Sequence, residues 1–259
     1  MAQRIQAILE SPTYRLAEND TPFMESDSAR AARLALEFMR ADLHLRNQRI
    51  DSTVVVFGGS RIKSPEEARV TGSRLDLAWS RYYEEARALA RCLAEGCCRT
   101  APHELVVVTG GGPGIMEAAN RGASEAGAPS VGFNIRMPAE QQPNAWITPS
   151  LAFRFHYFAL RKMHFLLRAR ALVAFPGGYG TLDELFESLN LVQSKTIHPI
   201  PIVLVGAEHW RRAVNFDYLV SEGFISAADR DLMTIVETGA EAAQLVLDCH
   251  RRTQNPCPH

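Results

Sequence analysis

A glycine-rich turn followed by an acidic residue is the part of this sequence best suited to chemistry. The apolar run 171–175 (ALVAF) leads into 176–184 (PGGYGTLDE), which is typical of a buried strand, a tight turn and a helix start. Such a turn directs free backbone N–H groups and the positive end of a helix dipole at one spot, where phosphate binds well. Glu184 follows within about one helical turn. A carboxylate beside a phosphate cradle indicates a reaction on a phosphorylated substrate as well as binding.

A basic pair, Arg161-Lys162, precedes this turn and adds positive charge to the same region. An arginine can form a forked contact with a phosphate or a carboxylate. A carboxylate in a pocket can activate water or stabilise an oxocarbenium-like sugar, so this set suits hydrolysis of the glycosidic bond of a sugar phosphate. Simpler interpretations stay open. A basic pair is often a solvated helix face, and Glu184 or Glu117 could simply favour a helix dipole by about 0.3–1 kcal/mol.

Two further apolar runs end in glycine turns and strengthen this interpretation. The run 105–109 (LVVVT) leads into 110–116 (GGGPGIM), and the run 53–57 (TVVVF) leads into 58–61 (GGSR). One such turn is weak evidence, because glycine also serves close packing and positive φ. Three of them are typical of an open parallel sheet, whose ligands bind at the carboxyl ends of its strands.

Other nucleotide-binding and hydrolytic motifs fit the sequence poorly. A dinucleotide-binding fingerprint needs G-x-G-x-x-G after the first strand and an acid at the end of the next one. The first turn, 58–61, lacks the later glycines, and Asn134 is the nearest polar residue near the end of the predicted strand 130–135. The glycine turns are not followed by Lys-Ser or Lys-Thr as in a P-loop, and a Gly-x-Ser-x-Gly elbow is absent. An oxidoreductase is therefore the weaker alternative.

Strand and helix signals alternate at short spacing along the chain. This alternation predicts an α/β protein with a Rossmann-like, doubly wound parallel sheet in a three-layer, single domain. The segment 64–78 could be an excursion over the ligand mouth. Besides the strands before the glycine turns, the predicted elements are strands at 130–135, 201–205 and 232–236 and helices at 29–47, 114–127, 152–169, 181–193, 207–221 and 240–250.

The predicted Rossmann-like, phosphate-binding domain spans residues 51–252, between an N-terminal extension (1–50, one helix) and a polar tail (253–259). The net charge of −1 gives no reason to expect binding to nucleic acid or an anionic membrane. Apolar stretches stay short of the roughly 20 residues that span a bilayer, and the N-terminus lacks the apolar region of a signal peptide, so we expect a cytoplasmic protein. The spacing of the cysteines and histidines predicts neither a disulfide framework nor a metal site.

Together these motifs resemble the Lonely Guy family, a group of phosphoribohydrolases long labelled lysine decarboxylase-like. The resemblance is carried by Arg161-Lys162, by 176–184 and by 110–116, and it runs from about Val54 to Val205. It implies a Rossmann-like fold and hydrolysis of the N-glycosidic bond of nucleoside 5′-monophosphates. The products would be ribose 5-phosphate and a free base such as a cytokinin or adenine. The long N-terminal segment and the insertion after the first turn are similar to the longer, bacterial-type branch of the family.

The resemblance also implies roles for individual residues. Arg161 and Glu184 would be the catalytic pair, with no cofactor and no metal. The substrate would be a nucleoside monophosphate, and the protein would form a homodimer or a larger homo-oligomer with its site at the subunit junction. The other residues expected to contact substrate or its phosphate are Gly58, Ser60, Gly110, Gly111, Gly112, Gly114, Glu117, Lys162, Gly177, Gly178, Tyr179, Gly180 and Thr181.

Two further questions stay open at this stage. A non-catalytic nucleotide sensor is the main alternative function, because the same cradle could bind an intact nucleotide without turnover. The aromatic side chains of the predicted helix 152–169 are candidates for a subunit contact, with ordinary core packing as the other interpretation. The decarboxylase label has little support, because a pyridoxal phosphate enzyme needs a lysine set in a cofactor pocket and none is evident.

Overall fold

A parallel β-sheet forms the centre of the protein in a computed structural model that describes residues 1–97, 105–137 and 142–254. Its strands are β1 (Thr53–Phe57), β2 (Val106–Thr109), β3 (Ser130–Ile135), β4 (Ala152–Phe155), β5 (Ala169–Ala174), β6 (Ile202–Val205) and β7 (Met233–Val236). They lie in the order β4-β3-β2-β1-β5-β6-β7, and each neighbouring pair is parallel.

Helices connect most of these strands and pack on both sides of the sheet. Three short 3-10 turns also lie in the first 29 residues, and a fourth (Pro149–Leu151) precedes β4. The α-helices are α1 (Ala2–Leu9), α2 (Thr21–Glu25), α3 (Arg30–Asn47), α4 (Pro65–Thr71), α5 (Arg74–Trp79), α6 (Arg81–Cys97), α7 (Ile115–Glu125), α8 (Phe158–Leu167), α9 (Tyr179–Gln193), α10 (Ala207–Ala213), α11 (Phe216–Ser221), α12 (Ala227–Arg230) and α13 (Gly239–Gln254).

Two apolar clusters, one on each side of the sheet, make the three layers. Val54 and Val56 of β1 face the cluster formed with α6, α7 and α13. Val55 and Phe57 face the other cluster, which contains residues of α3, α8 and α9. Successive strand residues point to opposite faces, so a strand buried on both faces reads as a continuous apolar run. The predicted Rossmann-like, three-layer fold is confirmed.

The strand order reverses between β1 and β5, and this reversal locates a crevice. Val55 of β1 pairs with Val108 of β2 on one side and with Leu172 of β5 on the other. The chain therefore leaves β1 in one direction across the sheet and returns on its other side. Open α/β sheets bind ligands outside the carboxyl ends of their strands at such a point. The turns after Phe57 and after Ala174 border it.

The predicted helix 152–169 is wrong over its first part. Residues Ala152–Phe155 form the edge strand β4, and the helix α8 begins only at Phe158. Phe153 pairs with Phe133, and Phe155 with Ile135, across a parallel ladder to β3. Alternating aromatic residues suit a strand that is buried on one side, and that tertiary pairing outweighs the helical appearance of the segment. Likewise the predicted helix 207–221 divides into α10 and α11, because Val214 is extended.

The N-terminal segment is more regular than the sequence indicates. Residues 1–50 contain α1, α2 and α3, where one helix was predicted. The excursion 64–78 is helical as α4 and α5, and Ser64 opens α4 with a capping box to Glu67. At the other end α13 runs to Gln254, and residues 255–259 of the predicted tail lie outside the described residues. None of the described helices is long and apolar enough to cross a membrane.

Candidate active site

The three glycine turns meet at the reversal point of the sheet and are bonded to one another. The amide of Gly59 donates to the carbonyl of Pro176 at 2.9 Å, and the amide of Ile115 donates to the carbonyl of Gly59 at 3.2 Å. Gly114 has φ +72°, and a Cβ there would collide with the backbone of Gly59. Glycine is therefore needed at this position both for its conformation and for its close approach. Segments far apart in sequence thus form one continuous wall.

A cleft of about 910 Å³ opens above these turns. Residues at or just beyond the carboxyl ends of β1, β2, β3 and β5 line it, together with residues of α5, α7, α8, α9 and α10. Tyr179 stands at the mouth and is 93% exposed. The sequence-predicted residues that line the cleft are Gly58, Ser60, Gly110, Gly112, Arg161, Gly177, Gly178, Tyr179, Gly180, Thr181 and Glu184.

The carboxylate of Glu184 is buried at the base of this cleft. It lies in the second turn of α9, and its side chain is 7% exposed. Burial raises the pKa of Glu184 to about 7, while the nearby Lys162 and Arg161 act to lower it. Asp183 and Glu187 of the same helix raise the pKa further. A carboxyl with a pKa near neutrality in a cleft can exchange protons at physiological pH, as a general acid or base must.

Arg161 projects from α8 toward the same carboxylate. Its Nη2 lies 4.0 Å from Oε1 of Glu184, too far for a hydrogen bond. The guanidinium stacks over the rings of Phe158 and Phe165, at 4.9 and 5.7 Å from their centroids. Its Nε is buried without a hydrogen-bond partner. The unpaired Nε is a donor that a bound ligand can use. Burial also disfavours the charged form and lowers the pKa of Arg161.

The neighbouring Lys162 faces a different direction. Its Nζ forms ion pairs with Asp183 at 2.8 Å and with Glu187 at 3.0 Å on α9. Lys162 does not line the cleft. It acts on the site through its charge, which lowers the pKa of Glu184.

Three more predicted residues support the wall of the cleft without lining it. Glu117 accepts a hydrogen bond from the hydroxyl of Tyr83 at 2.9 Å. The amide of Gly111 donates to Thr109 Oγ1 at 3.0 Å, and its carbonyl accepts from the side chain of Asn134 at 3.1 Å. Gly114, described above, packs against the backbone of the first turn. Structural roles therefore account for the contacts of these residues.

Two aromatic residues of the cleft were missed by the sequence analysis. His209 lies in α10, just beyond the carboxyl end of β6, and its Nε2 lies 3.4 Å from the amide nitrogen of Gly177, which donates to it. Trp79, at the end of α5, meets the His209 ring edge-on with centroids 5.9 Å apart. Burial lowers the pKa of His209, which keeps the ring neutral and able to accept. The position of His209 after a strand was its only signal in the sequence.

The fold and the cleft define a Rossmann-like α/β protein with a glycine-lined crevice, a buried carboxylate and a desolvated arginine. The model of the protein family described as "Possible lysine decarboxylase" matches residues 116–246, about half of the chain. The chain belongs to this family, and the resemblance to Lonely Guy proteins stated above is confirmed.

Curated relatives carry a more specific name. Cytokinin riboside 5′-monophosphate phosphoribohydrolase LOG3 of Arabidopsis thaliana is 34% identical over 97 residues, which cover 36% of this chain and 45% of that protein. The probable cytokinin riboside 5′-monophosphate phosphoribohydrolase LOG4 of Oryza sativa is 30% identical over 143 residues, which cover 53% of this chain and 60% of that protein. The chain thus spans about half the length of the curated relatives it matches.

Solved structures extend the likeness of fold to most of the chain. The molybdenum cofactor carrier protein from Chlamydomonas reinhardtii superposes with a TM-score of 0.52 at 21% identity, covering 78% of this chain and 99% of that one. A second structure of that carrier gives a TM-score of 0.50 at 19% identity, with the same coverage. At these identities the likeness concerns the fold alone.

Proposed function

We propose that this protein hydrolyses the N-glycosidic bond of nucleoside 5′-monophosphates, such as cytokinin riboside monophosphate or AMP, to a free base and ribose 5-phosphate. The names of the curated relatives support the reaction class. The observation that carries the proposal is the buried carboxylate of Glu184, 4.0 Å from Arg161 and open to a glycine-lined cleft. A site built only to hold a phosphate has no need of an acid that is costly to ionise.

Each part of the cleft has a task in this reaction. The 5′-phosphate binds at the glycine turns and the N-terminus of α9, where amides lack helical partners. This places the ribose beside Glu184, whose carboxylate stabilises the oxocarbenium-like carbon and takes a proton from the attacking water. Arg161 orients the substrate and offsets negative charge on the departing base. Water adds to the sugar carbon as the C–N bond to the base breaks, and the proton that Glu184 took from the water then protonates the departing base.

The dependence of kcat/KM on pH, on its acid side, should report the ionisation of Glu184. Its pKa is raised to about 7, and the proposed role needs the ionised form. We expect kcat/KM to rise with pH up to about 7 and to level off above it, because below the pKa the carboxyl is protonated. Rates from pH 5 to 9, corrected for the second phosphate ionisation near pH 6, would show this. A corrected profile that stays flat between pH 5.5 and 8 would contradict the role.

His209 should affect the binding of the phosphate group. It holds the amide of Gly177 in the glycine turn, and a neutral hydrogen bond of this kind contributes about 0.5–1.5 kcal/mol. We expect His209→Phe to weaken binding of ribose 5-phosphate roughly 2- to 10-fold by calorimetry, as that energy implies. His209→Gln, whose Oε1 can replace Nε2 as the acceptor, should recover most of the affinity. The exposed His198, replaced by Phe, is the control, and equal affinities for all variants would refute the role.

A panel of nucleoside monophosphates tests the proposal as a whole. Free base is measured by chromatography after incubation with AMP, isopentenyl-AMP and other monophosphates. The proposal predicts release from at least one of them. The alternative, a non-catalytic sensor, predicts tight binding of intact nucleotide and no release. Titration with NAD tests the oxidoreductase alternative, which predicts that the protein binds this dinucleotide.

A homo-oligomer also belongs to this proposal. The family resemblance leads us to expect a dimer or a larger assembly, and the structure leaves apolar side chains of α8 on the surface. Phe158, Met163 and Leu167 are each about half exposed. Phe155, in contrast, is buried in the core, which removes it from the predicted contact. Light scattering that gives the mass of a monomer would contradict this expectation.

The contacts of the lysines near the cleft disfavour a decarboxylase. A pyridoxal phosphate enzyme needs a lysine amine that can become neutral and form a Schiff base. Lys63 is held by Asp76 at 2.8 Å, and Lys162 by Asp183 at 2.8 Å. The carboxylate partners raise the pKa of Lys162. Ion pairs of this kind stabilise the protonated amine, so we favour hydrolysis.

A further inference from the structure

The helix that carries Arg161 is held at its start by a side chain from the N-terminal segment. Both oxygens of Glu37, on α3, accept backbone hydrogen bonds at the junction of β4 and α8. Oε2 accepts from the amide of His156 at 2.8 Å, and Oε1 from the amide of Tyr157 at 3.0 Å. The side chain of Tyr157, the N-cap residue of α8, makes no capping hydrogen bond. Glu37 thus fixes the junction from outside the helix.

The backbone of Tyr157 connects Glu37 to Arg161. The carbonyl of Tyr157 accepts the hydrogen bond from the amide of Arg161 at 3.2 Å. The hydroxyl of Tyr157 accepts from Nε of Arg33, also on α3, at 3.2 Å. Arg33 itself donates to the carbonyls of Met24 and Ser26 at 2.6 Å each. A chain of hydrogen bonds therefore runs from the N-terminal segment to the turn of helix that bears the arginine.

Resting on the function proposed above, we propose that Glu37 is a positioning residue that sets the place of Arg161 opposite Glu184. The cation has no bond of its own to the carboxylate, since the two groups lie 4.0 Å apart. Its location therefore depends on the backbone of α8 and on the stacked Phe158 and Phe165. A displacement of about 1 Å at a catalytic group can cost about 100-fold in rate. Holding the first turn of α8 is thus a catalytic requirement, and it gives the N-terminal segment a task.

The same two helices offer a matched control. Asp42 of α3 binds Arg168 at the far end of α8, with Oδ1 and Nη2 2.6 Å apart. The side chains of Arg168 and Asp42 are 10% and 14% exposed, and this ion pair joins the same two helices about two turns away from Arg161. Loss of either contact should weaken the packing of α3 on α8. Only loss of the Glu37 contact should disturb the turn that carries the arginine.

The experiment compares Glu37→Ala, Glu37→Gln and Asp42→Asn in the full chain. For Glu37→Ala we expect kcat to fall about 10-fold or more with KM within about twofold, since positioning acts on the transition state. The kcat of Glu37→Gln, which keeps one acceptor oxygen, should lie between those of Glu37→Ala and the wild type. Asp42→Asn should lower the melting temperature but keep kcat within about twofold. If Asp42→Asn loses as much kcat as Glu37→Ala, or if Glu37→Ala keeps its kcat, the proposal is wrong.

Two other measurements separate positioning from general destabilisation. When Arg161 moves away, Glu184 loses one of the cations that lower its pKa, while Lys162, Asp183 and Glu187 stay in place. The acid limb of the pH profile should therefore shift to higher pH in Glu37→Ala and not in Asp42→Asn. Crystal structures should show the guanidinium displaced only in Glu37→Ala. The crystal structures need no turnover, so they test the position of Arg161 even if the wild type releases no base. Absence of base release would refute the proposed function and not the positioning of Arg161.

Discussion

Replacing Glu184 with Gln should lower kcat for base release by about 10²- to 10⁴-fold, the usual contribution of a positioned acid or base. Gln has nearly the same shape, but it can neither accept a proton nor carry the charge that stabilises the ribosyl centre. The phosphate contacts at the glycine turns remain, so the affinity for ribose 5-phosphate should change little. Single-turnover rates and calorimetry on the same preparation measure both quantities.

The neighbouring Asp183 provides the control for this variant. It lies one position earlier on α9, is 59% exposed and does not line the cleft. Asp183→Asn should retain kcat within about threefold, since the effects of exposed charges are weak. If both variants lose activity equally, or if Glu184→Gln is as fast as the wild type, the proposed mechanism is wrong.

The Glu184→Gln variant should be more stable than the wild type above pH 7. The pKa of Glu184 is raised to about 7 in the folded protein, against an ordinary value near 4.3 when unfolded. Between these values the folded state binds more protons, so the free energy of unfolding falls as pH rises through this window. Glu184→Gln removes this loss, and we expect it to gain up to about 3 kcal/mol at pH 8 and little near pH 4. Urea titrations at both pH values measure the difference, and a gain confirms that the lost activity does not come from unfolding.

Much of the fold could be predicted because its signals are local. β1 and β2 are apolar runs that stop at a glycine, and β5 is an apolar run that leads into Pro176-Gly177. Burial on both faces of a parallel sheet produces such runs. The edge strand β4 was missed because its four residues are too few to show a period against the aromatic helix that follows. Its strand conformation comes from pairing with β3, which is a contact between distant segments.

The candidate site shows the same division between local and distant information. The glycine turns and Glu184 form one continuous motif, and Arg161 is recognisable beside Lys162. Sequence proximity could not show that Lys162 turns toward Asp183 and Glu187, away from the cleft, because helix rotation is set by packing. His209 and Glu37 reach their positions through elements far away in the sequence. Their partners are backbone amides, which leave no mark in the pattern of residue types.

Replacing Arg161 with Met should lower kcat/KM for base release by about 10²- to 10³-fold, as the loss of one preorganised charged donor does. The Nε of Arg161 is buried without a hydrogen-bond partner, and we expect it to gain one when substrate binds. The Arg161→Lys variant should recover little of the lost kcat/KM, because an ammonium can neither form the planar fork nor stack on Phe158 and Phe165 in the same way. Arg170, exposed on β5, is the control when replaced by Met. Recovery of full activity by Arg161→Lys would show that only a positive charge is required.

The double variant Arg161→Met/Glu184→Gln decides whether the two residues act as one unit. Groups that work on the same transition state lose most of their combined effect when either one is removed. The pair is 4.0 Å apart, and the arginine acts to lower the pKa of the glutamate, so we expect their proposed functions to be coupled. We expect the double variant to be within about threefold of the slower single variant, which is far from additive. If the two losses multiply, Arg161 holds the substrate independently of the carboxylate, and its proposed place opposite the ribosyl centre is wrong.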